Sequence, residues 1–136
     1  MVSADDRTLI HRSVESERME LDHFMPLFYT KFFETCPDVR TFFPNDMAGQ
    51  HEKLLTSLTY IIEALDHPEK LSAILKHQGE RHRAIRITDA HFDGFIYSFT
   101  SALAETLGPE WSEDTHSAWR VFLTDVALNM NFLRPT

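Results

Sequence analysis

Apolar residues recur at helical spacing along nearly the whole chain, and nowhere alternate with polar ones as they would on a half-buried strand. The clearest stripe is the third, where Leu54, Leu58, Ile61 and Leu65 step by four, three and four. Leu55 and Ile62 widen the same face. Breakers are scarce, with four glycines and six prolines in 136 residues, too few turns for a many-stranded sandwich. Those present fall between stripes. Pro37 ends a phenylalanine-rich helix that starts near Asp22 and turns Phe24, Leu27, Phe28, Phe32 and Phe33 inward.

The remaining boundaries come from caps. Ser3 caps a first helix whose opening turn carries Asp5 and Asp6. Leu9, Ile10 and Val14 carry that helix to about Arg18. Pro44-Asn45-Asp46 closes a turn bearing Phe42 and Phe43. Pro68 opens a fourth helix with Leu71, Ile74, Leu75, Gln78 and His82 on one face. Thr88 or Asp89 caps a fifth, striped by Phe92, Ile96, Phe99, Leu103 and Leu107 and stopped by Gly108-Pro109. Ser112 caps the last, with Trp119, Phe122, Leu123, Val126, Met130 and Leu133 inward. The expectation is an all-α fold in a single domain over residues 1–136.

Charge and cysteine usage narrow the setting. A net charge of −8 repels phosphate backbones, so nucleic acid is not expected as a partner. No apolar run reaches the roughly 18 residues that a membrane span needs. Met1 to Asp6 lacks the basic-then-apolar order of a signal peptide. Cys36 is the single cysteine and has no internal disulfide partner, which fits a reducing compartment. Beside Pro37 and a run of phenylalanines it reads as an inert, partly buried thiol. A cytoplasmic location is expected.

Eight histidines invite a metal reading, and position sorts them. His11, His23, His67, His77 and His116 fall on polar faces or helix ends and read as surface. His77 and His82 are five apart, on different faces of a helix, and neither His-Glu-x-x-His nor Cys-x-x-Cys occurs. A dedicated zinc site is therefore not expected. His82, seven after Leu75 and eleven after Leu71, continues an inward stripe. Two readings fit it: a core histidine with its hydrogen bonds satisfied, or a neutral imidazole offered to iron in an apolar cavity. Tyr29 lies inside the phenylalanine face, and Gln50 leads the third stripe four residues before Leu54. Singly, each reads as a core tyrosine bonded to backbone and a solvated first-turn residue. Together, opposite His82, they form a pair of hydrogen-bond donors facing a ligand.

The ordered set resembles the globin family: Pro37 followed six residues later by Phe43, Gln50 with Lys53 and Leu54, then His82 thirty-two residues on. Leu27-Phe28-Tyr29, Gly79-Glu80-Arg81-His82 and the closing Trp119 helix are similar to bacterial single-domain globins and to the haem domains of flavohaemoglobins. The resemblance runs from about Ala4 to Met130. It implies a globin fold, with helices packed three over three around a pocket for haem b (iron protoporphyrin IX). It implies His82 as the iron ligand, Phe43 stacked on the haem and Leu54 over its distal face. Lys53 and Arg81 would pair with propionates, while Gln78, Ile87 and Phe92 would line the proximal side. Phe28, with Phe43 and Phe92, would help wall the group. Tyr29 and Gln50 would donate to the ligand, with His51 the alternative to Gln50 after a one-residue shift.

The implied function is binding of dioxygen, and of other diatomic gases such as CO and NO, at a five-coordinate iron. Dioxygen gains partial negative charge there, so donors worth about 1.5–3 kcal/mol each favour it over CO and slow its release. That suits storage, scavenging or sensing. Flavohaemoglobins carry a tyrosine where this chain has Phe92 and a glutamate near Arg134, and a flavin domain besides. Nitric-oxide dioxygenation, the alternative function, would thus need an external reductase. The alternative of another class is a haem-free globin-fold interaction module, against which His82, Phe43 and the inward polar pair count. Phe132 and Leu133 allow a monomer or a weak homodimer.

Overall fold

The computed structural model describes residues 2–67, 69–70, 73 and 88–129. Among these there are five α-helices and no strand: α1 (Ala4–Glu15), α2 (Leu21–Thr35), α3 (Ala48–Glu63), α4 (Asp89–Leu107) and α5 (Glu113–Asn129). Short 3-10 turns fall at Pro37–Phe42, Ala64–Asp66 and Gly108–Glu110. Of the helix expected after Pro68, Glu69, Lys70 and Ala73 are described and helical, while Gln78, Arg81 and His82 lie outside the described residues, as do Ile87, Met130 and Leu133.

Helix starts obey the caps. Ser3 Oγ accepts from the Asp6 amide at 3.0 Å while Asp6 accepts from the Ser3 amide at 3.2 Å, a reciprocal capping box. Thr88 caps α4 in the same way, with His91 in the place usually held by glutamate: its Nδ1 accepts from the Thr88 amide at 3.3 Å. Ser112 Oγ accepts from the Thr115 amide at 3.1 Å at the head of α5. At the far end of α4, Gly108 takes φ of 56°, a left-handed conformation that glycine adopts without a β-carbon penalty.

The first helix ends at Glu15, short of the expected Arg18. A tertiary contact overrides local preference there. Ser16 turns extended and its hydroxyl donates to Glu110 at 2.8 Å, and Arg18 Nε stands 3.1 Å from the same carboxylate. Pro26 sits inside α2 and withholds one amide, but it lies on the exposed side, where water can reach the orphaned carbonyl.

The core is aromatic and lies between α2 and α4. Phe99 of α4 meets Phe24 at 5.1 Å and Phe28 at 5.4 Å, both edge-to-face, and Phe95 meets Phe28 at 5.3 Å. Trp119 of α5 closes on Phe99 at 5.6 Å. Phe24, Phe28, Phe99, Phe122 and Trp119 are all buried, and each such ring contributes roughly 2–3 kcal/mol of hydrophobic stabilisation. Phe28 is only 1% exposed and stacks on Phe24 and Phe32 within this core. On the other side α1 packs on α5. There Trp119 Nε1 donates to Ser13 Oγ at 3.1 Å, and Ser13 donates to the Leu9 carbonyl at 2.9 Å.

The third stripe divides. Ile61 and Leu65 are buried in the core, whereas Leu54, Leu55, Leu58 and Ile62 are half-buried and pack at its edge. No described helix is long and apolar enough to cross a membrane.

Candidate functional site

The side chains that converge do so around Tyr29. Its place in α2, one residue after Phe28 and four before Phe33, puts it at the edge of the phenylalanine core, 4% exposed. Beyond the Pro37–Phe42 turn, α3 starts at Ala48 and brings its first residues onto that edge. Gln50 Nε2 donates to the Tyr29 hydroxyl at 3.3 Å. His51 lays its imidazole against the phenol ring at 5.2 Å with only 15° between the planes. The sequence presents Gln50 and His51 as alternatives; in the structure both reach Tyr29. Consecutive helix positions are about 100° apart, so they straddle a flat ring, one at its hydroxyl and one at its face.

Three more rings enclose the phenol. Phe28 is 4.9 Å away and tilted, Phe33 5.8 Å and tilted, and Phe43 5.7 Å and edge-on at 73°. Burial pushes the Tyr29 phenol above its ordinary pKa, and the Gln50 bond opposes this only in part. Tyr29 is therefore a neutral O–H at physiological pH. Its oxygen accepts from Gln50, and its proton donates to no described residue.

Phe43 is placed by a residue to which no sequence motif points. The chain from Pro37 runs through a 3-10 turn to Phe42, and the Phe43 amide donates back to the Arg40 carbonyl at 3.2 Å. The Arg40 side chain then clamps the backbone beyond that turn. Nη1 donates to the carbonyls of Phe43 at 3.2 Å and Pro44 at 3.0 Å, and Nη2 to Asn45 at 3.2 Å. The guanidinium lies 5.2 Å over the Phe33 ring, which itself contacts Phe43 at 5.5 Å. Asp46 completes the passage by accepting from the Ala48 amide at 3.0 Å.

Leu54 is half-buried one turn after Gln50, and Lys53 is exposed beside it. Phe92 is 9% exposed near the start of α4. Of the ten residues read from the sequence as site residues, five are thus carried by α2, α3 and the corner after the Pro37–Phe42 turn: Tyr29, Phe43, Gln50, Lys53 and Leu54. Gln78, Arg81, His82 and Ile87 lie outside the described residues.

A second polar link joins the same turn to α4. His91 Nε2 donates to Asp38 Oδ2 at 2.6 Å while its Nδ1 takes the Thr88 amide, a bonding pattern that places the ring proton on Nε2. The bond from His91 holds the Asp38 carboxyl below its ordinary pKa, against a smaller effect of burial. The readable signal for His91 was its position three after Thr88, the reciprocal site of a capping box. Cys36 is buried, and burial together with the nearby Asp38 charge pushes its thiol up, which favours the thiol over the thiolate. Among the described residues no group of three or more His, Cys, Asp or Glu side chains could hold a metal ion.

The described residues thus form an all-helical body with a buried phenol, flanked by a clamped phenylalanine corner and the first turn of an amphipathic helix. Comparison with known proteins places that body in a family. The globin family model matches residues 27–130, so the chain belongs to the globin family and has its all-α fold. Over 136 aligned residues it is 27% identical to hemoglobin subunit alpha-D of Chloephaga melanoptera, across 93% of this chain and 94% of that relative. The same subunit of Aythya fuligula and of Anser indicus is 26% identical over the same shares.

Proposed function

We propose that this chain, a single globin domain, binds haem b and uses Tyr29 to hold a diatomic gas, dioxygen first among them. Binding of oxygen through haem is the general business of the family to which it belongs. The observation that carries the finer reading is the Tyr29 hydroxyl, whose oxygen is engaged by Gln50 and whose proton has no described acceptor. A buried donor left in that state favours a ligand with partial negative charge on its outer atom.

The residues present fit a flat apolar group. Phe43 offers a half-buried apolar face beside Tyr29, and Leu54, Leu55 and Leu58 are half-buried apolar residues along α3. Haem, when bound, supplies the iron at which a diatomic gas is taken up. His82 would hold that iron, Gln78, Ile87 and Phe92 would line the side of His82, and Lys53 and Arg81 would meet the propionates. Tyr29 donates to the gas. Gln50 spends one N–H on orienting Tyr29 and retains a second for the ligand, so its main role is to aim the phenol. Tyr29, within Leu27-Phe28-Tyr29, is also among the residues that carry the resemblance to bacterial globins.

The test is an absorption spectrum of protein supplied with haem. A Soret band that is lost or altered in His82→Ala is expected. No band, or one unchanged in that variant, would overturn the reading in favour of a haem-free module. Tyr29→Phe should then speed dioxygen release by about tenfold, the factor that 1.4 kcal/mol represents. Slow release suits storage, scavenging or sensing better than bulk carriage.

A further inference from the structure

We propose that His51 is a positioning residue that sets the direction of the Tyr29 proton by stacking on the phenol ring. This rests on the reading of Tyr29 as the donor to the gas. A phenol hydroxyl is conjugated with its ring, so its hydrogen prefers the ring plane. Two in-plane directions are available, one on each side of the oxygen. The N–H of Gln50 at 3.3 Å engages the oxygen and leaves the proton the other direction. That choice has meaning only if the ring plane itself is fixed. The terminal torsion of tyrosine is broad and soft, so the plane must be held by neighbours.

The neighbours differ in what they can hold. Phe43 presents an edge at 73°, and Phe28 and Phe33 are tilted by 55° and 33°. His51 alone lies nearly parallel to the phenol, at 15° and 5.2 Å. Rotation of the phenol about its axis would drive a ring edge into that flat imidazole, so the stack resists the rotation that would swing the proton away. The imidazole is half-buried, and its backbone is anchored in the first turn of α3 by the bond from its amide to the Met47 carbonyl at 2.9 Å. Gln50 and His51 thus act as a pair, one on the oxygen and one on the plane.

The experiment compares haem-loaded wild type, Tyr29→Phe, His51→Leu and His51→Phe. Leucine keeps much of the volume without the flat face, and phenylalanine keeps the face without the ring nitrogens. The readouts are the infrared C–O stretch of the carbon monoxide adduct, which reports the direction of a nearby donor, and the dioxygen release rate. Wild type should show one narrow band. His51→Leu should broaden or split it toward the position seen in Tyr29→Phe and speed release by about three- to tenfold, the size of an aromatic pair contact. His51→Phe should restore both. A His51→Leu protein with the wild-type band and rate would overturn the proposal, as would a His51→Phe protein that behaves like His51→Leu. If the chain takes no haem, or if the band fails to move in Tyr29→Phe, the reading of Tyr29 falls and this one with it.

Discussion

The sulfur of Cys36 occupies the space that a β-carbon on Gly94 would need, so the residue capping the end of α2 meets α4 at a position with no side chain at all. This is a close approach made possible by a buried glycine in α4. Gly94→Ala should therefore cost about 1–3 kcal/mol despite alanine's better helix propensity. Denaturant unfolding would show it as a lower midpoint. Gly94→Ala combined with Cys36→Ala should be less damaged than Gly94→Ala alone, because the second change removes the atom that the first collides with.

Arg40 connects the turn after α2 to the Phe43 corner through three carbonyls and a ring. Arg40→Ala should loosen residues 43–45 and cost about 1–2 kcal/mol, since the partners are backbone groups near the surface that water can partly satisfy. Arg40→Lys should recover little, because an ammonium cannot fork across three acceptors. The consequence for function is faster haem loss, measured as transfer to an excess of a haem-free acceptor protein. A wild-type transfer rate in Arg40→Ala would mean that Phe43 is held without the clamp.

Acid should unfasten the Asp38–His91 link. The Asp38 carboxyl titrates below the ordinary 3.8 in the folded protein, chiefly because His91 donates to its charged form. A depressed carboxylate contributes stability that is present above the unfolded value and is lost as pH falls through the folded one. The stability difference between wild type and Asp38→Asn should thus shrink steadily below about pH 4. Carbon-detected NMR of the Asp38 carboxyl should give a midpoint that rises in His91→Phe, and an unmoved midpoint would assign the depression to another cause.

Most of the fold was legible because it depended on short-range rules. Ser3, Thr88 and Ser112 cap their helices as a chain-level reading expects, and the Phe92, Ile96, Phe99, Leu103 and Leu107 stripe is buried throughout. What could not be read depends on partners distant in sequence. Ser16 leaves the first helix because Glu110 is waiting for it. Phe28 looks like any inward residue of α2 until Phe95 and Phe99 close over it. His11, assigned to the surface, is half-buried, with Nε2 3.3 Å from Asp66. Arg40 carries no motif, because carbonyls are present at every residue and only the turn brings three of them to one guanidinium. Tyr29 and Gln50 emerged from periodicity, which gives a face; the bond between them needed two helices.

Tyr29 should remain a donor across the whole physiological range. Burial raises its pKa above the ordinary phenol value of 10.0, and the bond from Gln50, which favours the ionised form, does not cancel that. The sign is the reverse of the Asp38 case. A group whose folded pKa is raised contributes stability that is fully present below the unfolded value and is lost as pH rises through the folded one. Two measurements check this. The ultraviolet tyrosinate signal lost between wild type and Tyr29→Phe isolates this phenol, and its midpoint should lie above 10.0. The dioxygen release rate of the wild type should meanwhile show no step from Tyr29 between about pH 6 and 9. A tyrosinate step inside that window, removed by Tyr29→Phe, would mean that the ring of aromatic side chains around the phenol admits water, and that the donor is weaker than its burial implies.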